Sequence, residues 1–171
     1  MDWTDAIVEA LKAHSIRVVS YVPDAITWRV LGKLQQDPFF RMVPCTREDD
    51  ALGVAAGVYL GRGRAAVFMQ SSGFGNCVNA LGSLAVPCRT PFPLFVSLRG
   101  DLWEFNIVQV PVGRAVGPIM GLLGMSYATL DDPAPDVVRF TTEGAIYTAF
   151  NTRIPVGLLI GPRLSGGKRL E

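Results

Sequence analysis

Histidine is almost absent from this sequence: His14 stands alone, at the end of a helical stretch where an imidazole suits the helix dipole. The three cysteines, Cys45, Cys77 and Cys88, are odd in number, widely separated and free of any CxxC spacing. Neither a disulfide framework nor a zinc site can be read from them, and no metal ligand set is assigned. No run approaches the roughly 18 uninterrupted apolar residues that a membrane span requires. Neither sign of charge is in excess, for 16 Lys and Arg face 15 Asp and Glu, a formal net charge of +1. That balance gives no sequence-independent attraction to nucleic acid. Asp2 and Asp5 stand where a secretory signal would carry basic residues. These absences imply a reduced, cytoplasmic protein whose partner is a small molecule or another protein, not nucleic acid and not a membrane.

What is present is apolar and alternating. Residues of the hydrophobic class make up 49% of the chain, enough for a proper core and too many for long disorder. Helical spacing at Ala6, Ile7, Ala10 and Leu11 gives way to the β-branched run 16–22, bounded by Pro23. The same exchange recurs, with helices predicted at 25–35, 48–60, from the glycine-rich turn to about 84, 113–123 and 134–150. Strands are predicted at 40–43, 65–69, 94–98, 127–130 and 156–160. Strands that are apolar on both faces and alternate with helices predict a single open parallel sheet of about six strands, covered by helices on both faces. The domain is expected to span residues 1–164, with 165–171 as a flexible tail.

Ligands of open parallel sheets gather outside the carboxyl ends of the strands. The loops to inspect are therefore 21–24, 44–50, 70–76 and 99–101. Thr46 and Asp49 have capping-box spacing, so Glu48 reads either as part of a solvated helix start or as a carboxylate aimed across the mouth of the sheet. The 70–76 segment offers glycines for close backbone approach, yet has no Walker lysine. It reads as a ligand turn or as a plain strand-to-helix turn with Ser72 as N-cap. Asp24, behind Pro23, is either a proton-transfer group or an N-cap. Arg47 and Arg99 are suited to an anionic group, or to the surface.

At these residues the chain becomes recognisable. The stretch 43–57, Val-Pro-Cys-Thr-Arg-Glu-Asp-Asp-Ala-Leu-Gly-Val-Ala-Ala-Gly, is followed in register by 69–81, Met-Gln-Ser-Ser-Gly-Phe-Gly-Asn-Cys-Val-Asn-Ala-Leu. Together they resemble the pyrimidine-binding domain of thiamine-diphosphate enzymes, in particular the alpha subunit of sulfopyruvate decarboxylase and the matching half of phosphonopyruvate decarboxylase. Val22-Pro23-Asp24 and Arg99-Gly100 fit the same pattern. Two departures stand out. Ser71 replaces the asparagine of the family's Gln-Asn-Ser-Gly, and a histidine that follows the Arg-Gly loop in related decarboxylases is missing from 104–111.

The resemblance implies that Glu48 hydrogen-bonds the aminopyrimidine N1′ and thereby favours the imino tautomer that activates the thiazolium. It assigns Glu48, Gln70, Ser71, Ser72, Gly73 and Asn76 to the cofactor, Glu48 and Asp24 to catalysis, and Arg47, Arg99 and Gln109 to a 2-oxoacid substrate. That substrate is sulfopyruvate, with phosphonopyruvate or an aromatic or aliphatic 2-oxoacid as alternatives; a noncatalytic binding or regulatory module is the alternative of another class. The family holds the cofactor's diphosphate through Mg2+ on a Gly-Asp-Gly segment, whereas the one Gly-Asp here, Gly100-Asp101, continues into Leu102-Trp103. A beta subunit carrying that segment is therefore expected, in a hetero-oligomer with at least two copies of each chain.

Overall fold

The computed structural model describes residues 1–166, and every strand in it belongs to one sheet. The chain runs α1 (Trp3–Ala13), β1 (Val18–Tyr21), α2 (Trp28–Gln36), β2 (Arg41–Pro44), α3 (Glu48–Leu60), β3 (Ala65–Gln70) and α4 (Ser71–Ala80). A π turn, Leu81–Ala85, extends α4. Then follow β4 (Pro93–Ser97), a 3-10 turn at Ile107–Gln109, α5 (Val110–Leu122), β5 (Tyr127–Leu130), α6 (Pro135–Thr152), β6 (Val156–Ile160) and a short α7 (Pro162–Ser165). The first helix starts where its chemistry says it should. The Asp2 carboxylate accepts from the N–H groups of Thr4 and Asp5, and Asp5 returns a bond to the Asp2 N–H at 2.8 Å, a reciprocal capping box.

Strand order is β2-β1-β3-β4-β6-β5, and all five pairings are parallel. The two inner strands β3 and β4 carry nothing polar until Gln70 and Ser97 at their carboxyl ends. Facing residues Phe68 and Phe95 stack with ring centroids 4.2 Å apart. The sheet separates two apolar layers. One joins α1, α2 and α6 through Ile7, Leu11, Leu34 and Ile146; the other joins α3, α4 and α5 through Leu52, Phe74, Leu81 and Met120. No helix among the described residues is long and apolar enough to cross a membrane.

The expected alternation is present, with one correction. The glycine-rich segment 70–76 is not a turn. Helix α4 begins at Ser71, directly after β3, and Gln70 is its N-cap without a side-chain capping bond. Ser72 is therefore inside the helix rather than capping it, because the peptides after the strand enter helical geometry at once. At the other end, Ser165 closes α7 and Gly166 follows it at φ +83; residues 167–171, which hold most of the expected tail, lie outside the described residues.

Candidate functional site

Glu48 is the first residue of α3, where its charge, with those of Asp49 and Asp50, complements the free N–H groups of the helix start. Two contacts aim that helix. Ala51, Leu52, Ala55 and Ala56 are buried on the sheet, and the buried Ser20 hydroxyl of β1 donates to the Ala51 carbonyl at 2.8 Å. The half-buried Glu48 carboxylate thus projects at the carboxyl edge of the sheet, toward α4. There Gly73 has no side chain, and a Cβ at that position would overlap the Glu48 carboxyl group. Asn76, one turn later, donates Nδ2–H to Glu48 Oε2 at 3.1 Å. The glycine makes room for the carboxylate and the amide holds it.

Gly73→Ala is accordingly expected to move the carboxyl group rather than unfold the chain, since the clash falls on the Glu48 side chain from Cγ outward and on no backbone atom among its nearest neighbours. Turnover should fall on the order of tenfold or more, because small displacements of a positioned group are expensive in rate. Steady-state kinetics beside a thermal melt would check this, and wild-type turnover in the variant would detach Gly73 from the site.

Around this notch the segment Gln70–Asn76 divides its tasks. Gln70 Nε2 donates to the exposed Ser72 hydroxyl at 2.6 Å. Ser71 is fully buried, and its hydroxyl accepts the Arg99 N–H at 3.1 Å. It ties the end of β3 to the loop after β4.

That loop differs most from the sequence reading. Arg99 is only 7% exposed, and its Nε and Nη2 donate to the two Glu104 oxygens at 2.6 and 2.7 Å. The same carboxylate accepts the N–H groups of Gly100 and Asn106 at 3.0 and 2.9 Å. These bonds, with the Arg99 hydrogen bond the largest influence, hold the Glu104 carboxyl down at about 2 despite its burial. The Nε–Nη2 edge of Arg99 is therefore taken up by Glu104, where the sequence left it open to an anionic group or to the surface. Arg99 is the base of a clamped loop. Gly100 sits at φ +81, where a Cβ would come within 2.6 Å of the Gln109 carbonyl oxygen. Gly113 of α5 packs so closely on the Arg99 carbonyl that a Cβ there would overlap it.

The other expected residues are scattered along the same edge. Asp24 accepts the N–H groups of Ile26 and Thr27 at 2.7 and 3.2 Å, pairs with the Thr27 hydroxyl, and accepts from Ser97 Oγ at 3.2 Å. Its carboxylate organises the turn into α2. Arg47 is exposed and grips Asp49 through Nε and Nη2 at 2.9 and 3.1 Å. Gln109 precedes α5 with its side-chain oxygen enclosed and without a hydrogen-bond partner among the described residues. Burial, followed by the charge of Glu48, pushes the Cys77 thiol up to about 12, so Cys77 is packing rather than a nucleophile. A cavity of about 220 Å³ opens between Leu98, Arg99, Gly117, Tyr127 and Leu159. Neither Glu48 nor Gly73 lines it; the half-buried carboxylate sits instead beside the exposed Arg47 and Asn76, at the edge of the sheet.

Sequence reasoning missed Gly73 as the space for Glu48, Asn76 as its holder, and Glu104 altogether. A signal for the last was available: a carboxylate five residues after Arg99 in a loop otherwise exposing Trp103, Phe105, Ile107 and Val108.

An open parallel sheet with a held carboxylate at its carboxyl edge defines a ligand-binding α/β domain of the doubly wound kind. Residues 1–97 match the family model described as thiamine pyrophosphate enzyme, N-terminal TPP binding domain. The chain is 32% identical over 160 residues to the sulfopyruvate decarboxylase subunit alpha of Methanococcus maripaludis, covering 94% of this chain and 95% of that one. It is 29% identical to the sulfopyruvate decarboxylase of Methanosarcina acetivorans, of which it spans 40%. A 4-hydroxybenzoylformate decarboxylase of Rhodococcus jostii RHA1, described as thiamine diphosphate-dependent, superposes with a TM-score of 0.75 at 21% identity, over all of this chain and 32% of its own. The chain belongs to the thiamine pyrophosphate enzyme family, as its N-terminal TPP-binding domain, and within it to the sulfopyruvate decarboxylase alpha subunits.

Proposed function

We propose that this chain is the pyrimidine-binding subunit of a thiamine-diphosphate-dependent 2-oxoacid decarboxylase whose substrate is sulfopyruvate. The observation that carries the reading is the Glu48 carboxylate seated in the Gly73 notch and held by Asn76. Such a carboxylate fits a ring nitrogen that must be hydrogen-bonded and protonated, and the fit does not depend on a metal. Bound thiamine diphosphate supplies the electron sink for loss of carbon dioxide. Glu48 would hold a proton at the cofactor's ring nitrogen. Gln70, Ser72, Gly73 and Asn76 form the wall beside it, and Ser71 acts through Arg99 by fixing the loop. Asp24, at the exit of β1, is the proposed proton-transfer group. Arg47 is the proposed contact for the sulfonate, since its pairing with Asp49 is solvent-exposed and cheap to exchange. Gln109, with its unpaired acceptor, is proposed to face the substrate.

The reading includes a second chain. The Methanococcus maripaludis relative is called a subunit alpha, and this chain spans 40% of the Methanosarcina acetivorans protein. Both facts support a partner subunit; in this reading it is a beta subunit that supplies the diphosphate site and its Mg2+, covers the edge at Glu48, and assembles with this chain in the cytoplasm, two copies or more of each.

Two measurements test this. Calorimetry should find thiamine diphosphate and Mg2+ binding to the assembled pair and only poorly to this chain alone, because the described residues include no His, Cys, Asp and Glu cluster that could hold the metal at the diphosphate. Magnesium-dependent micromolar binding to the isolated chain would contradict the split site. The specificity constants of the pair for sulfopyruvate, phosphonopyruvate and phenylpyruvate should rank in that order. Preference for phenylpyruvate would move the substrate to the aromatic class, in keeping with the exposed Trp103 and Phe105.

A further inference from the structure

Helix α6 has two apolar faces. Val138, Thr142, Ala145, Ile146 and Ala149 are buried against the molecule. A second stripe, Val137, Phe140, Gly144 and Tyr147, points outward, with Phe140 81% and Tyr147 65% exposed. Its steps of three, four and three are the alternation of a coiled-coil seam, although no helix among the described residues covers it. The stripe is also shaped. A Cβ on Gly144 would meet nothing within 4 Å. Hollows of about 290 Å³ lie on both sides of the Phe140–Gly144 line, one against His14 and Tyr147, the other against Tyr127 and Ala128. A protruding ring one turn from an empty notch is complementary to itself.

Placed antiparallel to a second copy about a two-fold axis level with Thr142, Phe140 falls opposite Gly144 of the second copy, and Val137 opposite Tyr147. Large meets small in both layers. Charge follows the same register. Asp132 and Asp136 stand at the amino end of α6 and the exposed Arg153 just past its carboxyl end, so the antiparallel arrangement brings Arg153 beside Asp132 of the second copy. The Arg139–Glu143 pair, 2.8 Å apart on the flank, meets its mate in reversed order, cation against anion. Antiparallel helix dipoles add to the match.

We infer that the outer face of α6 is an isologous interface between two copies of this chain. It lies on the sheet face opposite α3 and α4, so pairing leaves the Glu48 edge open to the cofactor and to the proposed partner subunit. The inference does not depend on the proposed reaction.

Gly144→Leu is the direct test. A Cβ there meets no atom within 4 Å and leucine is a better helix former than glycine, yet the added side chain fills the notch that Phe140 of the second copy needs. Sedimentation of the purified protein, with its partner subunit retained, should show the particle mass reduced to half for Gly144→Leu, at concentrations where the wild type stays paired. Phe140→Glu should do the same, and turnover per active site should persist in both. Arg153→Asp should weaken the pairing, and adding Asp132→Arg should restore it. An unchanged mass in both stripe variants overturns the inference. So does loss of the partner subunit in place of halving, which would assign α6 to that subunit. A thermal melt at or above the wild-type value identifies Gly144→Leu as folded; should Phe140→Glu melt early, the charge-reversal pair decides.

Discussion

Glu48→Gln is expected to lower turnover by at least about a hundredfold while leaving the protein folded and assembled, the usual scale for removing a positioned acid or base. The substitution keeps the shape that fills the Gly73 notch and keeps an oxygen for Asn76 Nδ2. What it removes is the acidic proton needed at the cofactor's ring nitrogen. Hydrogen–deuterium exchange at the cofactor's reactive carbon should fall with turnover, because both depend on that proton and only turnover depends on the substrate. Exchange at the wild-type rate in the variant would take Glu48 out of the chemistry. Loss of turnover with normal exchange would move the defect to a later step.

The second large effect is on stability. Glu104→Ala should cost about 3–5 kcal/mol, because it leaves the Arg99 guanidinium buried without its counter-charge and frees two backbone N–H groups. Urea unfolding at neutral pH measures it, and a midpoint equal to wild type would show that the clamp contributes nothing. The pH dependence follows from the lowered carboxyl. Glu104 titrates near 4.5 when unpaired and at about 2 in the fold, so its stabilisation is full above about pH 5 and is lost as pH falls toward 2. Glu104→Gln removes this titration, so its stability should fall less steeply than that of wild type across the same interval. Parallel slopes would contradict the assignment.

The strands and helices were legible because the chemistry that makes them is local. Val18–Tyr21, Ala65–Gln70 and Val156–Ile160 are apolar runs that only a doubly covered sheet can hide, and α3 lies where its acidic start and its alanines place it. Glu48 was legible as one of two alternatives. The deciding feature is not local, since Gly73 lies in another helix and matters only through the side chain it omits. The partner of Arg99 was hidden for a related reason. A lone arginine at a strand end looks available until the loop folds back, and the partner that occupies it, Glu104, is read in sequence as one more solvated charge. The glycine-rich segment misled in the opposite sense. Gly73 and Gly75 suggested a turn, but within α4 Gly73 makes the space that Glu48 fills.

The order of pairing in the sheet has a consequence for how this chain reaches its fold. Strand β4 pairs on one side with β3, close behind it in sequence, and on the other with β6, in the register Pro93 to Val156. Every element that builds the Glu48 site is present once β4 and its loop have been made. Until the last strand arrives, however, Pro93–Ser97 is an edge that is apolar up to Val96, with the hydrogen-bonding groups on that side unsatisfied. Parallel pairing across such a separation is slow, because the intervening loop must close before any bond repays it. During synthesis the chain therefore passes through an interval in which its site region is formed and its most adhesive strand is bare. Truncation before Val156 should yield a protein that aggregates rather than a smaller folded domain, and its solubility would depend on chaperones far more than that of the full chain.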